Sequence, residues 1–146
     1  MKTLIVYKSV HHGNTVKVAK AMANVLNAKL LEADKADVKA VIKYDLIGFG
    51  SGIYGFRHHP SILELADKLP TMEKKAFIFS TAGWPLKLWH WALRKRLEGK
   101  EIKLVGEFCC RGHDTFGPLK LIGGKNKGRP NKEDLKKAEE FAKSLG

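Results

Sequence analysis

Short apolar runs alternate with amphipathic stretches along the whole chain. Thr3-Leu4-Ile5-Val6-Tyr7 is a continuous apolar run of strand length. From Asn14 to Asn27 the apolar residues recur at helical spacing, with Val18, Met22 and Val25 on one face and Ala19 and Leu26 beside it. Ala28–Leu31 predicts a short second strand, Val38–Ile42 a short helix, and Leu46–Gly50 a third strand. Pro60 opens the next helix, where its missing N–H costs nothing, and Ile62, Leu65, Ala66 and Leu69 form the apolar stripe. Ala76–Phe79 is apolar throughout, as a central parallel strand should be. Leu86, Trp89, Leu93 and Leu97 mark a further helix, and Ile102–Phe108 a fifth strand. Asn131 caps a last helix, with Asp134 at its third position and Leu135, Ala138, Phe141, Ala142 and Leu145 facing inward.

Five strand-then-helix units predict an α/β protein, with a parallel sheet covered by helices on both faces. The chain of 146 residues suits one domain, 1–146, with no repeat and no linker. One connection breaks the regular spacing: a basic, glycine-rich stretch from Cys109 to Pro130. Loops of that length inside compact domains are often functional.

Composition narrows the partners. No apolar run approaches the roughly 20 residues that cross a bilayer, and the N-terminal run lacks the length and cleavage site of a secretory signal. The expectation is a cytoplasmic protein without a membrane partner. Cys109 and Cys110 are adjacent, so strand geometry sends them to opposite faces and a bridge between them would be strained. Two reduced thiols, one buried, are expected. The net charge is +12, with basic residues in excess in every third of the chain. So even a spread is expected of a solvated surface, or of one that attracts acidic redox proteins. A nucleic-acid module ranks well below, because no motif of that class is present and the charge is dispersed.

In open α/β sheets, ligands bind beyond the carboxyl ends of the strands, where strand order reverses. After the first strand comes Lys8-Ser9-Val10-His11-His12-Gly13-Asn14-Thr15. Gly13 permits a sharp turn, and the helix behind it aims free N–H groups and a positive dipole end at the loop. A phosphate fits such a place. The loop matches neither GxxxxGK[ST] nor GxGxxG. Taken alone, it reads equally well as an ordinary helix start capped by Asn14 or Thr15.

Two more loops change that balance. Ser9-x-x-x-Gly13-Asn14-Thr15 after an apolar strand resembles the phosphate loop of flavodoxins, commonly S/T-x-T-G-N-T. Gly50-Ser51-Gly52-Ile53-Tyr54-Gly55 and Ser80-Thr81-Ala82-Gly83-Trp84 fall where that family's flavin-contacting loops lie. The resemblance spans nearly the whole chain. It implies a flavodoxin-like, doubly wound five-stranded parallel sheet of order 2-1-3-4-5, an order and site for which flavodoxin is the standard illustration. It also implies flavin mononucleotide (FMN) as cofactor. Ser9, His11, His12, Asn14 and Thr15, with the backbone from Gly13 onward, would hold the phosphate. His11 and His12 depart from the usual Thr, and which of them faces the phosphate is open. Ser51, Gly52, Ile53 and Tyr54, with Ser80, Thr81, Ala82, Gly83 and Trp84, would surround the ring. Tyr54 and Trp84 are the stacking candidates, with Phe56 as an alternative to Tyr54, whereas Trp89 lies on the helix stripe and reads as core. His58 and His59 precede Pro60 and read as surface helix caps. Two functions follow: an electron carrier between protein partners, or a flavin-dependent oxidoreductase acting on a quinone or porphyrinogen-like substrate. In the second, His58, His59 and the long loop would form the substrate pocket.

Overall fold

The computed structural model describes residues 1–10, 13–112 and 128–145. Five parallel strands run β1 (Thr3–Lys8), β2 (Lys29–Glu32), β3 (Leu46–Tyr54), β5 (Lys75–Ala82) and β6 (Lys103–Arg111). They lie in the order β2-β1-β3-β5-β6. A sixth, two-residue strand, β4 (Arg57–His58), folds back antiparallel on the end of β3. The five-stranded order expected from the sequence is therefore present, with one hairpin added.

Strand alternation divides the core into two layers. Leu4, Val6, Ile47, Phe49, Ala76 and Ile78 point to one face, against α2 (Val38–Val41), α3 (Pro60–Lys68) and α4 (Trp91–Gly99). Ile5, Leu46, Phe77 and Phe79 point to the other, against α1 (Asn14–Leu26) and α5 (Lys132–Leu145). Each strand needs apolar residues on both faces, so the runs are continuous rather than alternating. Met22 and Val18 of α1 are fully buried, and each contributes about 1.5–3 kcal/mol of transfer free energy.

Two glycines of β3 serve this packing. Gly48 is in register with Phe77, and Gly50 with Phe79. A Cβ on Gly48 would lie 2.3 Å from the Phe77 ring, and one on Gly50 would lie 2.2 Å from the Phe79 ring. The rings fill the space that the glycines leave vacant.

The helix ends follow their sequences. α1 stops at Asn27, which takes the left-handed conformation (φ 52°) and returns its N–H to Ala23 O. α5 opens on the expected capping box: Asp134 N–H donates to Asn131 Oδ1 at 2.9 Å, and Asn131 N–H donates to Asp134 Oδ2 at 2.8 Å.

Two boundaries differ from the sequence reading. β6 runs on through Cys109 and Cys110 to Arg111, because it continues to pair with Ser80, Thr81 and Ala82 of β5. Both thiols are free; Cys110 is buried, and burial first of all pushes it up to about 12. The helix expected from Leu86 begins as a 3-10 turn at Lys87–His90 and becomes α-helical only at Trp91. Leu86 therefore stands exposed, and Trp89 is half-buried rather than core. Residues 113–127 of the long connection lie outside the described residues.

Candidate functional site

The carboxyl ends of the central strands finish level. Lys8 is in register with Ser51, Ser51 with Ser80, and Ser80 with Cys109. Strand order reverses between β1 and β3, since the chain leaves β1 for β2 on one side and returns to β3 on the other. A crevice at that point is where doubly wound sheets take ligands.

The first wall is the start of α1. Gly13 turns the chain in the left-handed region (φ 63°), and the helix begins at Asn14 with neither a side-chain cap from Gly13 nor an acidic residue in its first turn. Neither Asn14 nor Thr15 is the N-cap, contrary to the plainer sequence reading; both are the first helical residues and both are buried. Thr15 Oγ1 instead shares a 3.0 Å hydrogen bond with Thr81 Oγ1, which ties the helix start to the end of β5. Ser9 Oγ accepts from Val16 N–H at 3.2 Å. Gly112, just past β6, lies against Asn14, where a Cβ would come within 2.7 Å of its amide. Gly112 N–H donates to Ala82 O at 3.1 Å. His11 and His12 lie outside the described residues.

Ser51, Ser80 and Thr81 also sit at this end, but their side chains are buried. Ser51 Oγ donates to Gly52 O at 2.6 Å and accepts from His59 N–H at 3.0 Å. These residues shape the loops from within. Gly52, Ile53 and Tyr54 are half-buried, and the Tyr54 ring folds back over Gly52. Burial raises the Tyr54 phenol, which therefore stays protonated at neutral pH. Ala82 is half-buried, Gly83 buried, and Trp84 exposed at 64%. Trp89 Nε1 braces that loop by donating to Trp84 O at 2.8 Å. Lys8 is engaged elsewhere, with Asp34 and, at 3.6 Å, with Glu32.

The sequence reading missed a buried polar chain behind β5. His90 is fully buried; its Nδ1 meets Glu107 Oε1 at 2.9 Å and its Nε2 meets Ser80 Oγ at 2.7 Å. Arg94 Nη2 donates to the same carboxylate oxygen at 2.6 Å. Burial opposes the charge on Glu107, but the hydrogen bonds from Arg94 and His90 outweigh it and lower its pKa. The order serine, histidine, carboxylate matches a hydrolytic relay. Ser80 is fully buried, however, so no substrate reaches its hydroxyl, and the chain acts as a brace for the site strand. A lone acid in the apolar strand Leu104–Phe108 was the available signal.

His58 is also buried, not a surface cap. Its Nε2–H donates to Phe79 O at 2.9 Å, and its ring lies 5.0 Å from that of His90. Burial, then the neighbouring His90, pushes it down to about 3. His59 does cap α3, accepting from Ser61 N–H at 3.0 Å.

Among the described residues, no His, Cys, Asp and Glu side chains gather to hold a metal, and no helix is long and apolar enough to cross a membrane. The fold thus defines a doubly wound α/β protein in which the start of α1 and the loops that carry Tyr54 and Trp84 follow the carboxyl ends of the central strands.

The comparisons agree with that class. Residues 4–103 match the family model described as a flavodoxin domain, and the chain belongs to that family. It is 53% identical to the uncharacterized protein MJ0298 of Methanocaldococcus jannaschii, over 99% of this chain and 98% of that one. Among solved structures it resembles oxidised flavodoxin 2 from Bacillus cereus (TM-score 0.73, 21% identity, 97% and 95% of the two chains). It also resembles a flavodoxin from the domain Archaea (TM-score 0.69, 14% identity, 99% and 96%). At those identities the likeness concerns the fold alone.

Proposed function

We propose that this protein binds FMN in the crevice and carries electrons between protein partners. The observation that carries the reading is the Thr15–Thr81 hydrogen bond. It fixes the start of α1 beside the end of β5, so the first-turn N–H groups and the loop after β5 share one rigid frame.

The residues suit that group. First-turn N–H groups of α1, with the Ser9 hydroxyl beside them, offer donors and a positive dipole to a phosphate. The first turn of α1 itself carries no acid to repel a phosphate. Gly52, Ile53 and Tyr54 on one side, and Ala82, Gly83 and Trp84 on the other, offer backbone groups and two aromatic walls to a flat ring. FMN, when bound, supplies reversible uptake of one or two electrons. The chain's part is to hold, orient and partly shield it. Tyr54 remains a neutral phenol, and Trp84, whose carbonyl is held by Trp89, would offer an aromatic face to the ring.

The test is a stepwise anaerobic reduction of FMN-loaded protein, followed by absorbance. A carrier takes its two electrons in resolved steps. A single two-electron step, with rapid reoxidation by a quinone, overturns the carrier reading in favour of an oxidoreductase.

A further inference from the structure

Of the seven large apolar side chains exposed among the described residues, five come from two short segments: Phe56, Trp84, Leu86, Leu88 and Trp91. Contacts join them. Trp91 Nε1 donates to Phe56 O at 2.9 Å, the Phe56 ring packs on Trp89 at 5.2 Å, and Trp89 holds Trp84 O. Phe56, at the hairpin tip between β3 and β4, is held at φ 67° and yet is 66% exposed, as is Leu88. A bulky residue in the left-handed region is rare, and a contiguous exposed apolar patch marks an interaction site.

Charge identifies the occupant. From Trp84 to Leu97 the chain has four basic residues and no acid, and the hairpin adds Arg57. Arg94 is paired with Glu107 and Arg96 with Asp67, while Arg57, Lys87 and Lys95 stand exposed at the rim. Beyond Trp91 the surface drops into an open groove of about 430 Å³, lined by three cations, Lys95, Arg96 and Lys100, against one acid, Asp67. A second copy of a chain charged +12 would set like charges against one another.

We infer that this patch is the docking surface for an acidic redox protein, which seats an apolar centre on Phe56, Leu88 and Trp91 and places carboxylates against Arg57, Lys87 and Lys95. The inference rests on the flavin reading, because Trp84 belongs to both the cleft and the patch. Each encounter moves one electron: the partner's reduced centre loses it and the oxidised flavin gains it. Two such encounters, with two protons taken from water, would complete the reduction of FMN.

The probe is a strongly acidic iron–sulfur ferredoxin, chemically reduced and mixed with FMN-loaded protein in a stopped-flow instrument. The expected transfer rate is high at low ionic strength and falls at least ~10-fold by about 0.5 M salt. Lys87→Glu/Lys95→Glu is expected to lose about tenfold at low salt, as is Phe56→Asn/Leu88→Ser through its apolar centre. Lys136→Glu/Lys143→Glu, on α5, carries the same charge change and should stay within about twofold of wild type. Retention of FMN is measured first. Failure to hold FMN overturns the flavin reading and this inference with it. Retained FMN with transfer that is absent, salt-independent or equally affected by both charge variants overturns the docking surface alone. So does binding of phosphatidylglycerol vesicles, or dimerisation in the ultracentrifuge, when either is abolished by the patch variants.

Discussion

Gly50→Ala isolates one claim about how the sequence sets the sheet: that Gly50 is present for a ring, not for a ligand. The added Cβ would stand 2.2 Å from two atoms of the Phe79 ring and 2.4 Å from a third. Carbon atoms in contact prefer roughly 3.5–4.0 Å, so the shortfall is more than about 1 Å. Phe79 is fully buried, with the Phe77 ring stacked 6.2 Å away, so it has no room to retreat. A shift of β3 would disturb β1 as well, because Gly50 is paired with Tyr7. Overpacking costs about 1–3 kcal/mol, and this site belongs at the upper end, near ~3 kcal/mol. With a urea slope of about 2 kcal/mol per molar, the unfolding midpoint falls by about 1.5 M. Phe79→Ala alone costs about 3–5 kcal/mol as a cavity. The double variant should cost less than the sum, by about 1–3 kcal/mol, because each change relieves the other. Gly99→Ala is the control: its Cβ meets nothing within 4 Å, so it should be neutral or slightly stabilising. Additive costs in the double variant, or a Gly50→Ala midpoint equal to wild type, would refute the reasoning.

Acid sensitivity follows from His58. Its folded pKa is held near 3 against an ordinary 6.5, so between those values the unfolded chain binds a proton that the native chain refuses. Stability is therefore full above pH 6.5 and falls with pH through that window, by up to about 1.4 kcal/mol per unit. His90 and His59 are lowered too and add in the same direction. His58→Gln should give a shallower slope in urea midpoints measured across the window; an unchanged slope would contradict the assignment. Trp84→Ala should leave the melting temperature near wild type and weaken FMN by about tenfold, read by flavin fluorescence, and equal affinity would remove Trp84 from the ring. Asn131→Ala should cost about 1 kcal/mol in thermal unfolding, and no loss would argue against the capping box.

The sheet was legible because buried parallel strands need apolar residues on both faces, which leaves unbroken runs such as Ala76–Phe79. The capping box was legible from Asn131 and Asp134 because both partners are local. What stayed hidden depends on contacts between distant residues. Gly50 reads as ring-approach glycine until Phe79 is seen across it. His58 reads as a surface cap until β4 carries it under the site, and His90 gives no sign of Glu107 seventeen residues away. Trp89 followed the helical spacing, but the 3-10 turn rotates it off the stripe and onto Phe56. Of the residues expected to hold the cofactor, Ser51, Ser80 and Thr81 lie toward the carboxyl ends of β3 and β5 with their side chains buried.

The most direct test of the central claim compares FMN with riboflavin, which differ by the phosphate alone. Wild-type protein should bind FMN tighter by about 100-fold, the worth of a phosphate held by charge-assisted bonds. Ser9→Asp places a carboxylate beside Val16 N–H, where it caps α1 and occupies the anion slot. That variant should melt no lower than wild type and bind the two flavins equally. A wild-type protein that does not distinguish them, or a Ser9→Asp variant that keeps the full preference for FMN, would contradict a phosphate site at the start of α1.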